Sequence, residues 1–313
     1  MPIRTFQNLD PKVDKRPLKD VFRWLVTRHP RGDRPEACPA CSYPPEPCGV
    51  DALRIFWVGH STLLVEHGSG PRVLIDPVFS DRCSPLRIIG PKRFHPPGIP
   101  LVEIPEIDAI VISHNHYDHL DTWSIKELLK RHQTQPVFLV PQGLGMWMSD
   151  VGARNVVELG WFENYDGLGW KVTALPAQHW SKRGILATNT SLWCGYRLDY
   201  PGGKSLYFAG DSGYFNGFDM IRQQYGPATV AALPIGAYEP QWFMRPIHMN
   251  PEEAVRAFQD AGCETFLAIH HNTFRLADEP PDEPARRLRA EWERLGLPKD
   301  ALWIPAPGEW RAF

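Results

Sequence analysis

Apolar residues along this chain fall in short runs of about four to seven, separated by turns rich in proline and glycine. Short apolar runs bounded by turn residues predict buried strands. By this pattern strands lie over residues 53–58, 62–65, 72–75, 108–113, 137–140, 156–159, 170–176, 191–198, 205–209, 229–233, 265–269 and 302–304. Pro201, Gly202 and Gly203 supply the turn of a hairpin between two of them. Helical spacing follows Asp121-Thr122-Trp123-Ser124, an N-cap signal, with Ile125, Leu128 and Leu129 on one face. It appears again over residues 144–148, in an amphipathic stretch over 284–295, and after Asn250. There Asn250 caps, Pro251 takes the first helical position and Glu253 the third, with Val255 and Phe258 inward. The apolar cluster 21–26 predicts a short helix docked onto the body. Strands alternating with helices predict an α/β domain over residues 51–313, preceded by a polar, proline-rich and mostly irregular lead-in over residues 1–50. No repeat of solenoid length is present.

Composition narrows the function classes. With 34 Lys plus Arg against 36 Asp plus Glu, there is no basic field of the kind nucleic acid requires, so no nucleic-acid partner is expected. No apolar stretch reaches the roughly 18 residues needed to span a bilayer, and the first residues lack the apolar centre of a secretory signal. These features predict a cytoplasmic protein, with contact at a membrane surface still compatible. Cys38-Pro39-Ala40-Cys41 resembles half of a zinc knuckle, but neither Cys48 nor a nearby histidine completes it, so a reduced loop is expected. Cys194 and Cys263 fall inside apolar runs and are expected in the core. A homo-oligomer is compatible with the sequence.

The chemistry gathers at His114-Asn115-His116-Tyr117-Asp118-His119, placed between the strand at 108–113 and the helix after Asp121. Imidazole and carboxylate groups converging at such a corner suit a Zn²⁺-class ion. His114 and His116 project to one side of an alternating loop. Asp118 and His119 are adjacent and cannot easily share the same ion with them, so the spacing suits two metals. Further ligand-type residues stand just past other strands: His179, Asp211 and His270. In layered α/β folds sites gather at strand ends. Seven such residues fit two ions with about three ligands each and one shared carboxylate. His271 competes with His270, which is preferred because it follows its strand directly. His60, in the Gly59-His60-Ser61 turn, is expected to hydrogen-bond to backbone rather than to bind metal.

The run His114-x-His116-x-Asp118-His119 resembles the signature of the metallo-β-lactamase fold superfamily. That resemblance implies an αββα sandwich with its site at one edge between the sheets. It implies His114, His116 and His179 as ligands of a first Zn²⁺, Asp118, His119 and His270 of a second, and Asp211 as the bridge; manganese and iron suit the same ligands. A closer resemblance runs from about Phe56 to Glu279. It rests on residues 57–62, 76–80, 90–94 and 112–121, on Gln178-His179-Trp180, and on residues 208–214 and 234–244. These are similar to the N-acylphosphatidylethanolamine-hydrolysing phospholipase D family, which releases phosphatidic acid and an N-acylethanolamine. Two positions depart from that family's pattern: Ile247 stands before His248 in place of a polar residue, and His271-Asn272 replaces an aromatic-glycine pair.

The implied chemistry is attack of an activated hydroxide on a phospholipid phosphodiester. Asp118 orients the nucleophile, Asp211 sets the metals, His248 or a metal-bound water protonates the leaving group, and Tyr117 and His248 contact the phosphate. Two other classes stay in view. One is hydrolysis of a soluble phosphodiester or lactone, which a small polar pocket would mark. The other is a non-catalytic metal- or lipid-binding module, which a missing ligand would mark, and none is missing. For a lipid substrate, Leu86, Arg87, Ile88, Ile89, Lys92, Arg93 and Phe94 in the proline-rich segment 85–100, and Leu144, Met146, Trp147 and Met148, are expected to meet the membrane surface.

Overall fold

The computed structural model describes residues 4–14, 18–36, 38–44, 46–132, 134–184 and 188–313. Its body is two seven-stranded mixed sheets packed face to face. The first contains β1 (Leu53–Gly59), β2 (Thr62–His67), β3 (Val73–Ile75), β4 (Ala109–Val111), β5 (Val137–Pro141) and β6 (Val156–Leu159), with β14 (Trp310–Ala312) at its edge beside β1. The second runs in chain order from β7 (Asn164–Gly167), β8 (Trp170–Pro176), β9 (Cys194–Asp199) and β10 (Ser205–Phe208) to β11 (Val230–Pro234), β12 (Thr265–Ile269) and β13 (Leu302–Trp303). In each sheet one half is antiparallel and the other parallel.

Strand alternation explains the layering. On β1, Leu53, Ile55 and Trp57 face the second sheet and join Val172, Tyr196, Phe208 and Leu267 in the central core. Phe56 and Val58 on the same strand face outward. They pack with Ile125 and Leu128 of α2 (Thr122–Arg131) and Met148 of α3 (Gly145–Asp150). The outer face of the second sheet is covered by α4 (Gly217–Tyr225), α6 (Pro251–Ala261) and α7 (Glu283–Arg294), through Phe218, Phe258 and Trp292. Helix, sheet, sheet, helix is therefore the order of layers, as the resemblance implied.

Most strands lie where the apolar runs placed them, and residues 199–205 form the expected hairpin between β9 and β10. The strand over residues 108–113 is shorter, because Ile112 and Ser113 leave the ladder to begin the His-rich corner. β7, β14 and α4 have no counterpart in the pattern. β7 is the half-exposed edge sequence Asn-Tyr-Asp-Gly, β14 is Trp-Arg-Ala, and α4 opens on Gly217 without a side-chain cap. A short helix, α5 (Gln241–Met244), also lies in a stretch too brief to show a period.

The predicted N-terminal helix is present as α1 (Leu18–Thr27), and its Trp24 stacks on Phe243 with ring centroids 5.2 Å apart. All six cysteines are free thiols, and none belongs to a group suited to metal among the described residues. Cys194 is core as expected, whereas Cys263 is only half-buried just before β12. The segment 85–100 divides. Leu86, Ile88 and Ile89 are exposed, but Arg93 and Phe94 are buried, with the Arg93 guanidinium 5.2 Å from the Phe274 ring. Leu144 and Met148 are likewise buried, leaving Met146 outward from that cluster.

Candidate metal centre

The ends of β4, β8, β10 and β12 meet at one edge of the sandwich. They bring His114, His116, Asp118, His119, His179, Asp211 and His270 into a single cluster. In one group, His116 Nδ1 lies 2.8 Å from His114 Nε2 and 3.2 Å from His179 Nε2. In another, Asp118, His119 and His270 gather, and both Nε2 atoms approach Asp118 Oδ2, at 3.6 and 3.5 Å. Asp211 Oδ2 stands between the groups: it is 3.2 Å from Nε2 of both His119 and His270, 3.8 Å from His114 and 3.7 Å from His179. His248 forms a further group with His179 and Asp211. His271 turns away and stacks on Trp57, 5.0 Å between centroids, so His270 is the histidine brought to the cluster.

His60 also arrives there. Its Nε2 is 3.0 Å from Asp118 Oδ2, where the turn had suggested only a backbone bond. The turn is fixed by its own main chain: His60 N donates to Thr273 Oγ1, and its carbonyl accepts from Trp57 Nε1 and from His270 N. No local signal could reveal the role of the ring, because its partner lies 58 residues onward.

A second layer orients these rings. Asp76, fully buried at the end of β3, accepts from Ser113 N and Ser113 Oγ and is 2.7 Å from His119 Nδ1. A proton held on that Nδ1 leaves Nε2 with its lone pair toward the cluster. His179 Nδ1 meets the carbonyl of Ile247 at 3.0 Å, which does the same for His179. Position 247 thus acts here through its backbone, whatever its side chain. The Arg183 guanidinium donates to the carbonyls of Asn115 and Leu120 and lies 4.3 Å from the ring of Tyr117, bracing the His-rich loop from outside. His60, Asp76 and His270 hold left-handed backbone, with φ of 56°, 42° and 58°. Such geometry costs on the order of 1–3 kcal/mol per residue and gathers where function demands it.

The donor set suits divalent cations. His119 Nε2, His270 Nε2 and Asp211 Oδ1 are buried and have no well-formed hydrogen bond among the described residues, although both ring nitrogens lie 3.2 Å from the other oxygen, Asp211 Oδ2. Burial and neighbouring imidazoles hold His114 well below its ordinary pKa; burial, with His248 and His116 beside it, does the same for His179, so both are neutral donors. Burial alone would raise Asp118 and Asp211, yet His119 and His270 hold both well below the usual carboxylate range. Burial would likewise depress His119 and His270. The carboxylates instead push His119 well up and His270 to about 9. Two carboxylates, Asp211 buried and Asp118 partly so, therefore draw positive charge into the cluster, and divalent cations meet that demand with the imidazoles neutral.

Beside the cluster opens a cavity of about 510 Å³. His116, Tyr117, Asp118, Asp211 and His248 line its polar end, and Trp24, Phe243, Met244, Ile247 and Leu276 its apolar wall. The helix carrying Trp24 and the loop carrying Cys83 bound it, so the lead-in segment contributes to the site.

Comparison with known proteins agrees with this geometry. The sequence profile of the Beta-lactamase superfamily domain matches residues 71–271. An uncharacterized protein of Mycobacterium tuberculosis is 41% identical over 97% of this chain and 82% of its own length. The N-acyl-phosphatidylethanolamine-hydrolyzing phospholipase D 1 of Caenorhabditis elegans is 38% identical over 79% of this chain and 72% of its own length. The structure of Igni18, a metallo hydrolase from the archaeon Ignicoccus hospitalis, superposes with a TM-score of 0.62 at 24% identity, covering 84% of this chain and 98% of that one. With a profile match across most of the body and a donor cluster at the sheet ends, the chain belongs to the metallo-β-lactamase superfamily of metal-dependent hydrolases.

Proposed function

We propose that the protein is a phospholipase D-type phosphodiesterase that cleaves N-acylphosphatidylethanolamine to phosphatidic acid and an N-acylethanolamine. The observation that carries this reading is the cavity: a polar end at the ligand cluster continuing into a wall of Trp24, Phe243, Met244, Ile247 and Leu276. A phosphodiester placed at the cluster would leave its acyl chains against that wall. The similarity to the Caenorhabditis elegans enzyme supports the same substrate class.

His114, His116 and His179 would hold one divalent cation and Asp118, His119 and His270 another, with Asp211 between them. Two such cations, zinc, manganese or iron, would supply an acidified water at neutral pH and Lewis acidity toward a phosphoryl oxygen. Asp118, steadied by His60 Nε2 at 3.0 Å, orients the attacking water in line with the leaving oxygen. The bond that breaks is P–O on the headgroup side. His248, buried and lining the cavity, gives a proton to the departing alkoxide. Tyr117 lines the same end and meets the phosphate.

No helix among the described residues is long and apolar enough to cross a membrane. A lipid substrate would be met at the surface instead. Phe22 and Val26 on α1, and Leu86, Ile88 and Ile89 on the loop after Cys83, are exposed on the two elements that bound the cavity. The deciding experiment assays purified, metal-quantified protein on N-acylphosphatidylethanolamine beside a soluble phosphodiester and a lactone. Preference for the lipid, with phosphatidic acid as product, is expected. Faster turnover of either soluble substrate overturns the lipid assignment, and no turnover of any overturns the hydrolase mechanism.

A further inference from the structure

Asn8 lies in the lead-in, outside the domain matched by the superfamily profile, yet it is buried against His179, 171 residues away. Its Nδ2 donates to the His179 carbonyl at 2.8 Å, and its Oδ1 accepts from the His179 N–H at 3.0 Å. One side-chain amide thus grips both polar groups of a single residue. Trp193 Nε1 donates to the same Oδ1 at 3.1 Å and holds the amide in place. His179 needs such a grip because β8 ends at Pro176, and residues 177–180 belong to no strand. Gln178 is tied to Ser212 and Gly213, and the buried N–H and carbonyl of His179 find their partner in Asn8. The ring itself is turned by the Ile247 carbonyl. Backbone and ring together aim Nε2 at the group formed with His114 and His116, 3.2 Å from His116 Nδ1.

We propose that Asn8 is a positioning residue of the metal centre, fixing the His179 peptide so that its imidazole completes one of the two ligand groups. This rests on the metal-centre reading above. It makes the N-terminal segment part of the site: Phe6 N donates to Asn189 O at 2.8 Å, docking the same stretch beside the cavity that Asn189 lines. The effect acts on His179, so it falls on one ion and not on both.

The test follows metal release from the holoprotein to a chromophoric chelator, for wild type, Asn8→Ala, Asn8→Asp and Arg34→Ala. Arg34 ties the same N-terminal segment to the carbonyls of Arg93 and Phe94 and touches no ligand, so it reports general loosening. Asn8→Ala is expected to release one ion at least about 10-fold faster, the scale of lost support behind a metal ligand, and the other at the wild-type rate. Asn8→Asp keeps the acceptor and loses the donor, and falls between. Arg34→Ala matches wild type. Equal acceleration of both ions, or an equal effect in Arg34→Ala, overturns the positioning role. So does unchanged release from Asn8→Ala or, if that variant does not fold, from Asn8→Asp. Wild-type protein that retains no metal overturns the metal-centre reading itself, and the proposal with it.

Discussion

At the scale of single residues, the cluster separates groups that would touch a cation from groups that aim them. Asp211 and Asp76 are both buried carboxylates, but only Asp211 has an oxygen within 3.8 Å of four imidazole nitrogens from both ligand groups. Asp76 meets one imidazole, at the nitrogen that faces away from the cluster. The two should therefore fail differently. Asp211→Asn is expected to keep the fold and lower kcat by at least about 10²-fold, because a carboxylate shared by two cations would set their spacing and the charge on the water. Asp76→Asn should weaken metal affinity by roughly 10–100-fold while largely restoring turnover at saturating metal. Steady-state kinetics across a metal titration distinguishes them. Near-normal kcat in metal-loaded Asp211→Asn would show that this residue does not bridge. The run from His114 to His119 was legible in the sequence because its members adjoin, and His179, Asp211 and His270 because each ends an apolar run. His60 and Asn8 were not, since their roles come from partners 58 and 171 residues distant.

At the scale of elements, legibility followed burial. Strands inside the two sheets, such as β3, β4 and β11, carry continuous apolar runs because both faces are covered. The edge elements β7 and β14 carry none: they pair with β8 and β1 and each adds one aromatic ring, Tyr165 against the core and Trp310 beside Phe56, too few to show a period. Segment 85–100 shows the same limit in reverse. Its alternation of apolar and basic residues suggested one surface patch, but packing against Phe274 takes Arg93 inside, and Phe94 N bonds to the Thr273 carbonyl. What remains outward is Leu86, Arg87, Ile88, Ile89 and Lys92, with Ile88 82% exposed. Ile88→Ser/Ile89→Ser should therefore leave thermal stability within about 0.5 kcal/mol, as exposed substitutions generally do, while weakening co-sedimentation with anionic phospholipid vesicles. Equal vesicle binding by variant and wild type rules out this loop. No binding by either, even at low salt, removes the membrane-surface reading.

At the scale of the whole molecule, the candidate ligands are divided between the two halves of the sandwich. The corner after β4 supplies His114, His116, Asp118 and His119 from the first sheet, and the ends of β8, β10 and β12 supply His179, Asp211 and His270 from the second. The sheets share an apolar core away from this edge. Two carboxylates and several imidazoles with little exposure nevertheless crowd the edge itself, and their desolvation opposes closure there. Bound cations would neutralise that edge and link the halves across it. A ligand that binds only the folded state stabilises it by mass action, by about 4 kcal/mol when free metal is 1,000 times its Kd. Chelation is thus expected to lower the melting temperature by several degrees and to preserve the far-ultraviolet circular dichroism of the sheets. Asp211→Asn should lose much of this metal-dependent increment, because it removes the carboxylate common to both groups. Calorimetry of wild type and variant, each with metal and after chelation, checks this. If the wild type melts at one temperature in both states although metal content has changed, the cluster does not couple the two sheets.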